Sequence, residues 1–127
     1  MPLIAKVLIG LGSVAMLLAV AFGAFGAHGL KKTLPQDLMA VYETAVNYHF
    51  YHALGLLAAG LLALHLPESA LLRWAGILLT VGILLFSGSL YVLSLSGVRW
   101  LGAITPFGGV AFLAAWLLLA VAVARAA

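Results

Sequence analysis

The chain has 127 residues, of which 66% are hydrophobic and only 7% are charged, and its mean hydropathy is +1.26. A soluble domain carries about a quarter of its residues as charged side chains, so lipid is the expected solvent for most of this surface. The net charge of +3 comes from six basic and three acidic residues, which are too few and too scattered for a nucleic-acid face. The chain has no cysteine, which excludes disulfides and thiol chemistry.

Four apolar windows each have the length of about 20 residues that an α-helix needs to cross a bilayer. They predict spans at about 3–27, 45–64, 71–95 and 106–124. The links contain lysine, glycine and proline, and Thr105 followed by Pro106 is typical of a helix start. Short links favour antiparallel neighbours. The sequence therefore predicts one transmembrane domain, residues 1–127, an all-α integral membrane protein with four transmembrane helices in an up-and-down antiparallel bundle.

The first apolar segment has two interpretations. Lys6, the apolar run after it and the letters AFGAFGA resemble the three regions of a signal peptide. The apolar run is long for such a peptide, so a retained first helix is the preferred interpretation.

Small residues recur every four positions in the first two helices. The first helix has Ala15, Ala19, Gly23 and Ala27, and the second has Gly55, Ala59 and Ala63. This spacing lets helix backbones approach closely in lipid, where van der Waals packing replaces the hydrophobic drive. It predicts packing seams, and the same faces would allow copies of the chain to form a homo-oligomer.

The start of the second helix is amphipathic. One side carries Leu38, Met39, Tyr42, Ala45 and Val46, and the other carries Asp37, Glu43, Thr44 and Asn47. A helix running from residue 35 to residue 65 would be roughly 46 Å long at about 1.5 Å per residue. This exceeds the roughly 30 Å hydrocarbon core. The first three turns are therefore predicted to lie in the interfacial region, either projecting into the headgroups or bent along them.

Polar residues gather at one end of the predicted bundle. We call this end side B; it carries the links at residues 28–37 and 96–105, and the opposite end, with the link at residues 65–70, is side A. A candidate polar pocket at side B comprises His28, Tyr48, His52, Ser87, Tyr91, Ser94 and Thr105, because polar residues within a membrane usually face the bundle interior. An interface belt is the competing interpretation, since tyrosine, tryptophan and histidine favour membrane interfaces and serine bonds its own helix.

Three histidines also raise the hypothesis of a metal or haem site. His49 and His52 are three residues apart on one helix, and His28 would be a third ligand. Metal sites usually add a carboxylate or thiolate, and Glu43 is the only nearby acid. Phosphate-binding, dinucleotide, zinc-protease and nucleophile-elbow patterns do not occur in the sequence. No cofactor and no enzymatic reaction are therefore expected.

Three stretches resemble a known family. They read GAFGAHGL at residues 23–30, YETAVNYHFYHAL at residues 42–54 and FSGSLYVLSLSGVRWLGAITPFGGVAF at residues 86–112. They resemble the domain of unknown function 423 family, the YgdD-like small bacterial inner-membrane proteins. The resemblance implies an integral membrane protein of about this length with no known activity. The family pattern Tyr-Gln-x-x-His-Ala matches Tyr48, His52 and Ala53 but has glutamine at the position of His49. This implies a shared role for His28, Tyr48 and His52, and predicts His49 as an interfacial side chain.

Three functions follow as hypotheses. The first is a structural or interaction protein of the cell inner (plasma) membrane, whose partners are membrane lipids and which contacts anionic headgroups through Lys31, Lys32 and Arg99. The alternative is an oligomeric carrier or channel for a small solute, with Thr80, Ser87, Tyr91 and Ser94 along its path. The third is a metal or haem enzyme. Orientation stays open, because each membrane side carries three basic residues.

Overall fold

The computed structural model describes residues 1–126, and this part of the chain forms four long helical rods. The first, second and fourth rods are α1 (Leu3–His28), α2 (Gln36–Ala63) and α5 (Thr105–Arg125). The third rod, Ala70–Ser96, contains α3 (Ala70–Gly82), a π-helical turn (Ile83–Ser87) and α4 (Gly88–Ser96). Short 3₁₀ turns, Leu30–Lys32 and Arg99–Ala103, follow the first and third rods. The all-α prediction is confirmed, and α2 begins at Gln36, as the predicted amphipathic start ahead of the span at residues 45–64 requires.

Local chemistry explains several of the helix ends. Pro35 precedes α2, where its missing N–H costs nothing. Ser69 caps α3 by accepting a hydrogen bond from the backbone N–H of Leu72 at 3.2 Å. Gly97 ends the third rod with a φ of 75°, and its N–H donates to the carbonyl of Leu93 at 2.7 Å. A glycine is needed here because other residues rarely adopt this left-handed conformation.

Consecutive rods pack as antiparallel neighbours. In the first half of α1, a Cβ added to Gly12 would lie 2.9 Å from the backbone nitrogen of Leu57, which is in the second half of α2. At the other end of the same pair, Gly26 lies against the ring of Tyr42. Gly108, near the start of α5, meets Phe86 in the second half of the third rod. The predicted up-and-down order of the helices is therefore present in the fold.

The main core lies between α2, α3 and α5, with α1 covering one side. Leu8, Leu56, Leu72, Leu79 and Phe112 are among its buried members, and they come from four different helices. A smaller cluster at side B joins Leu30 to Met39, Tyr42 and Val46 of α2. Because α2 contributes to both clusters and touches the other three rods, it is the central helix of the fold.

The amphipathic start of α2 matches its predicted pattern. The five apolar side chains on one side are all buried, and the four polar side chains on the other are all exposed. The buried side packs on the end of α1 and on the third rod through Tyr42, Val46 and Tyr91. The helix is continuous from Gln36, so neighbouring helices, and not headgroups, cover its apolar face.

Within residues 1–126, three helices are long and apolar enough to cross a membrane. They are Leu3–Lys32, Ala70–Ser96 and Arg99–Arg125. The second helix is not among them, because Asn47 and the polar rings at residues 48, 49, 51 and 52 lower its hydropathy. The prediction of a helical membrane protein is thus supported by three of the four expected spans.

The packing seam on α1 differs from its prediction. The buried small residues recur every seven positions, at Ala5, Gly12, Ala19 and Gly26, while Ala15 and Gly23 are half-buried and Ala27 is exposed. The expected four-residue spacing is therefore wrong for this helix. Residues seven apart stay on the side of a helix that faces a neighbour crossing at a shallow angle. Residues four apart drift around the helix and leave that contact.

The small residues of α2 are all buried, as predicted. Gly55, Ala59 and Ala63 face the interior, and an added Cβ at Gly55 would meet the ring of Trp116. These faces are therefore occupied within one chain. A homo-oligomer, which stays a prediction, would need a different surface.

Candidate polar sites around the second helix

Polar rings of α2 lie in two separate clusters on either side of the third rod. His49 faces the space between α1 and α4, where it meets Phe22 and Tyr91. His52 faces α5, where it meets Phe112 and Trp116. The two histidines are neighbours in sequence, but different helices surround them.

The first cluster centres on a hydrogen bond between His49 and Tyr91. The imidazole Nδ1 lies 2.8 Å from the tyrosine hydroxyl. The Tyr91 ring meets Phe22 edge-on, with ring centroids 5.0 Å apart, and Tyr42 at 5.4 Å. His49 is only 3% exposed, so its prediction as an interfacial side chain is wrong. The reason is that α4 brings a hydroxyl to this face of α2, which satisfies a polar group that lipid would leave unpaired.

Tyr42 ties the same region to α1. Its hydroxyl donates to the backbone carbonyl of Phe22 at 2.5 Å. Its ring lies on Gly26, where any Cβ would overlap the ring edge. The periodicity of α2 places Tyr42 on the apolar face, but it does not predict that the ring packs against Gly26 of another helix.

The second cluster is built by stacking. The His52 ring lies parallel to Phe112, with centroids 3.4 Å apart and an interplanar angle of 7°. Its Nδ1 lies 2.7 Å from the carbonyl of Tyr48, and because a carbonyl only accepts, Nδ1 carries the proton. The Tyr48 ring packs on Phe86 at 4.4 Å, and Tyr48 itself is 39% exposed. The structure therefore brings together Tyr48 and His52 of the predicted pocket.

The hydroxyl groups of the third rod mostly bond to nearby backbone. Ser94 donates to the carbonyl of Tyr91 at 3.0 Å, and Thr80 donates to the carbonyl of Gly76 at 2.9 Å. Each of these bonds stays within the same rod, as interface-type serine and threonine often do. Two residues of the predicted solute path, Thr80 and Ser94, therefore donate their hydroxyl groups to the backbone of their own rod.

Two further hydroxyl contacts join different helices. Buried Ser87, in the π turn, donates to the carbonyl of Ala45 at 2.8 Å and fixes the third rod on α2. Ser89 and Thr105 share a hydrogen bond of 2.6 Å between α4 and the start of α5. These bonds stabilise packing, so Ser87 and Thr105 already have partners from the protein.

His28 does not join either cluster. It is exposed at the end of α1, and its Nδ1 bonds to the carbonyl of Ala24 at 2.9 Å. Among the described residues 1–126, no three histidine, aspartate or glutamate side chains lie close enough to hold a metal ion. The structure therefore does not bring together the three histidines of the metal or haem hypothesis. The seven residues of the predicted pocket lie in the two clusters, at helix contacts and at a helix end; as a ligand site they stay a prediction.

The three predicted headgroup cations differ in their surroundings. Lys31 and Lys32 are exposed in the turn after α1. Arg99 donates from its guanidinium to the carboxylate of Asp37 at 2.7 Å, with both side chains exposed. The hydrogen bond from Arg99 holds the pKa of the Asp37 carboxyl below its ordinary value of 3.8. Asp37 thus offsets the charge of Arg99 and leaves the two lysines as the unpaired cations of this group.

The fold and its polar contacts define a class of protein, the all-helical membrane proteins. The model of a family described as a protein of unknown function (DUF423) matches residues 22–109, and the chain belongs to this family. The family resemblance predicted from the sequence is therefore confirmed.

Several relatives are similar over nearly the whole chain. The UPF0382 membrane protein YwdK of Bacillus subtilis (strain 168) is 50% identical over 120 residues, which cover 94% of this chain and 98% of the relative. The UPF0382 membrane protein SH2409 of Staphylococcus haemolyticus is 49% identical over 114 residues, 90% of this chain and 92% of the relative. A relative from Staphylococcus epidermidis is 51% identical over 117 residues, 92% of this chain and 94% of the relative. No solved structure matches the chain significantly.

Proposed function

We propose that this protein is a structural or interaction protein of the cell inner membrane that crosses the bilayer four times and binds anionic lipid headgroups at side B. The observation that carries the proposal is the exposed basic turn Leu30–Lys32. Among residues 1–126 the structure describes one ion pair, Asp37 with Arg99, so the charges of Lys31 and Lys32 are available to lipid phosphate. No reaction is part of the proposal.

The surroundings of the turn favour an anionic surface. Helices α2 and α5 both begin at side B, and the start of a helix carries a partial positive charge. Trp100 and Phe107 are exposed at the same end, and aromatic side chains of this kind anchor proteins at the headgroup level. A basic residue near an anionic leaflet contributes about 1 kcal/mol of attraction.

The length and packing of α2 support a fourth span. This helix has 28 residues and runs antiparallel to α1 along its whole length. The two histidines that lower its hydropathy are buried and hydrogen-bonded, so lipid does not have to solvate them. The side chains that its second half exposes include Leu54 and Leu61, which suit hydrocarbon.

Single cysteines test the number of spans, because the chain has none of its own. We expect Thr33→Cys and Ser96→Cys to react with a membrane-impermeant maleimide from the same side, and Pro67→Cys from the other. If α2 does not cross, Thr33→Cys and Pro67→Cys would react from one side and Ser96→Cys from the opposite side. That pattern would contradict the proposal of four spans.

A lipid-enrichment measurement tests the headgroup contact. The protein is reconstituted in nanodiscs of mixed phosphatidylglycerol and phosphatidylcholine, and the bound lipid is quantified after detergent extraction. The Lys31→Gln, Lys32→Gln double variant should lower phosphatidylglycerol enrichment about fivefold per lysine, and added salt should lower it in the unchanged protein. Arg99→Gln should have a smaller effect because Asp37 already offsets its charge.

A matched control removes the same charge from the opposite end. The Lys6→Gln, Arg125→Gln double variant also loses two exposed basic groups and should leave the phosphatidylglycerol enrichment unchanged. Equal losses in both double variants would mean that net charge, and not the basic turn, attracts the lipid. Unchanged enrichment in the lysine variant would refute the proposed contact.

A further inference from the structure

A lateral cleft separates α1 from the third rod. α1 packs along α2 and makes few contacts with the third rod. Near side A the contact of Leu8 with Gly76 closes the bottom of the space between them, and further along His49 and Leu56 of α2 line it. Three cavities follow this space from side A to side B, with volumes of about 320, 280 and 400 Å³. Leu11 and Thr80 line both the first and the second cavity, and Phe22 and Tyr91 line both the second and the third. The first two cavities therefore adjoin, and the edge-on contact of Phe22 with Tyr91 marks the boundary between the second and the third. We call this row of cavities the cleft.

The walls of the cleft suit a hydrocarbon chain. Val7 and Leu11 of α1 face Ile77 and Val81 of α3 in the half nearer side A. The hydroxyl of Thr80 is bonded to its own helix. Further along the cleft, the hydroxyl of Tyr91 is bonded to His49. From residue 73 to residue 91 the third rod rises roughly 27 Å at about 1.5 Å per residue, close to the thickness of the roughly 30 Å hydrocarbon core.

Arg73 is the charged side chain that lines the cleft in the described part of the chain, and it lies at the mouth on side A. It is exposed, and the one ion pair of residues 1–126 does not involve it. It lies in the first turn of α3, where the helix dipole adds to its positive potential. Neighbouring Trp74 is exposed, as expected of an interfacial anchor.

We propose that this cleft binds one acyl chain of an anionic phospholipid whose phosphate contacts Arg73. The apolar walls match the chain, and the single unpaired guanidinium matches the phosphate, which it can bind with two parallel hydrogen bonds. The individual cavities have volumes near those of small-ligand sites. The inference is independent of the headgroup contact proposed above, because Lys31 and Lys32 lie at the opposite end of the bundle.

Native mass spectrometry with added lipid tests the site. The detergent-solubilised protein is titrated with phosphatidylglycerol or with phosphatidylcholine of the same chain length, and the lipid-bound fraction is measured. We expect one tightly retained phosphatidylglycerol per chain and weaker retention of phosphatidylcholine. Arg73→Gln should bind phosphatidylglycerol about fivefold more weakly and should no longer distinguish the two lipids. The Lys31→Gln, Lys32→Gln double variant should keep this retained lipid.

A pair of matched variants tests the cleft itself. Val7→Trp places a large ring in the first cavity, and Val20→Trp makes the same change on another exposed part of α1 that lines none of the three cavities. Val7→Trp should lose the retained lipid, and Val20→Trp should keep it. Equal retention in the two tryptophan variants would overturn the proposal, as would an unchanged lipid preference in Arg73→Gln. A dimer without lipid that Val7→Trp dissociates would assign the cleft to a second copy.

Discussion

Helices α1 and α5 both pack on the central part of the molecule, but they do so in opposite ways. Rings of α5 sit in glycine notches: Phe112 lies over Gly82 of α3, and Trp116 lies over Gly55 of α2. Gly108 of α5 lies against the backbone of Phe86 in the π turn. α1 instead follows α2 along one line of small residues at seven-residue spacing, and it meets α3 mainly near side A, where Leu8 lies against Gly76.

The difference shows what each kind of packing fixes. A ring packed over a glycine fixes both the rotation and the register of its helix, because rotating or sliding either helix makes the ring overlap its neighbour. A smooth line of glycine and alanine fixes the distance between two backbones but leaves their rotation and register less constrained. α1 therefore leaves an open cleft beside it, while α5 is closed against both α2 and the third rod.

The largest effect is expected at the closed contact of α5. In Gly108→Ala, the new Cβ would lie within 2.8 Å of the Phe86 Cα, and that backbone can move only with the whole π turn. We expect a loss of about 2–3 kcal/mol of unfolding free energy, the upper part of the range for overpacked cores. Unfolding by SDS in mixed micelles measures it.

Gly109→Ala is the matched control for this substitution. Its Cβ would come no closer than 3.9 Å to the Phe86 ring, so its stability should stay within about 0.5 kcal/mol of the unchanged protein. If both alanine variants unfold alike, the close approach of α5 to the π turn is not a real constraint, and the contrast between the two helices disappears.

A smaller effect is expected in the seam of α1. In Gly60→Ala, the Cβ would lie 2.9 Å from the backbone nitrogen of Ile9, but α1 has one main neighbour and can move outward. We expect a loss of about 1–2 kcal/mol in the same unfolding measurement. Gly10→Ala is the control, since its Cβ meets nothing within 4 Å, and it should gain about 0.5 kcal/mol from helix propensity. A loss in Gly60→Ala larger than that in Gly108→Ala would reverse the comparison.

The polar contact at the floor of the cleft should have a still smaller effect. Tyr91→Phe leaves the buried Nδ1 of His49 without its hydroxyl partner, which should cost about 1 kcal/mol. The double variant with His49→Phe should lose less than the sum of the two single variants, because both polar groups are then absent. A double-mutant cycle measures this coupling. Tyr51→Phe, the same change on an exposed tyrosine, should leave the stability unchanged. Strict additivity in the cycle would mean that the hydrogen bond between His49 and Tyr91 contributes nothing to stability.

Much of the fold is predictable because it depends on local pattern. Hydropathy and capping residues locate four helices, and the two faces of the start of α2 follow directly from its periodicity. The seam of α1 is not predictable in the same way, since a helix rich in alanine and glycine offers several lines of small residues. Which line is used depends on the crossing angle with α2, which no single helix determines.

The polar contacts are less predictable than the helices. His49 matches no family position, yet it is buried because the register between α2 and α4 places Tyr91 beside it. The sequence predicts one pocket for His52 and Tyr91 because both approach side B, but Tyr91 faces α1 and His52 faces α5. Depth in the membrane follows from counting residues, whereas the partner across a helix contact follows only from tertiary packing.

The smallest effect is expected at the exposed ion pair between Asp37, at the start of α2, and Arg99, just before α5. Because Arg99 lowers the folded-state pKa of Asp37 below 3.8, its stabilisation is fully present above that value and is lost as the pH falls through the lower folded-state pKa. Asp37→Asn should therefore melt slightly below the unchanged protein at about pH 6 and match it at the most acidic pH that the detergent sample tolerates. Thermal melting curves across this pH range measure the difference. A difference that grows on acidification would mean that the carboxylate destabilises the fold. The pair joins α2 to the segment before α5 and does not touch α1. Its loss should therefore leave lipid retention in the cleft unchanged. This result would separate the closed side of the molecule, at α5, from the open side, at α1.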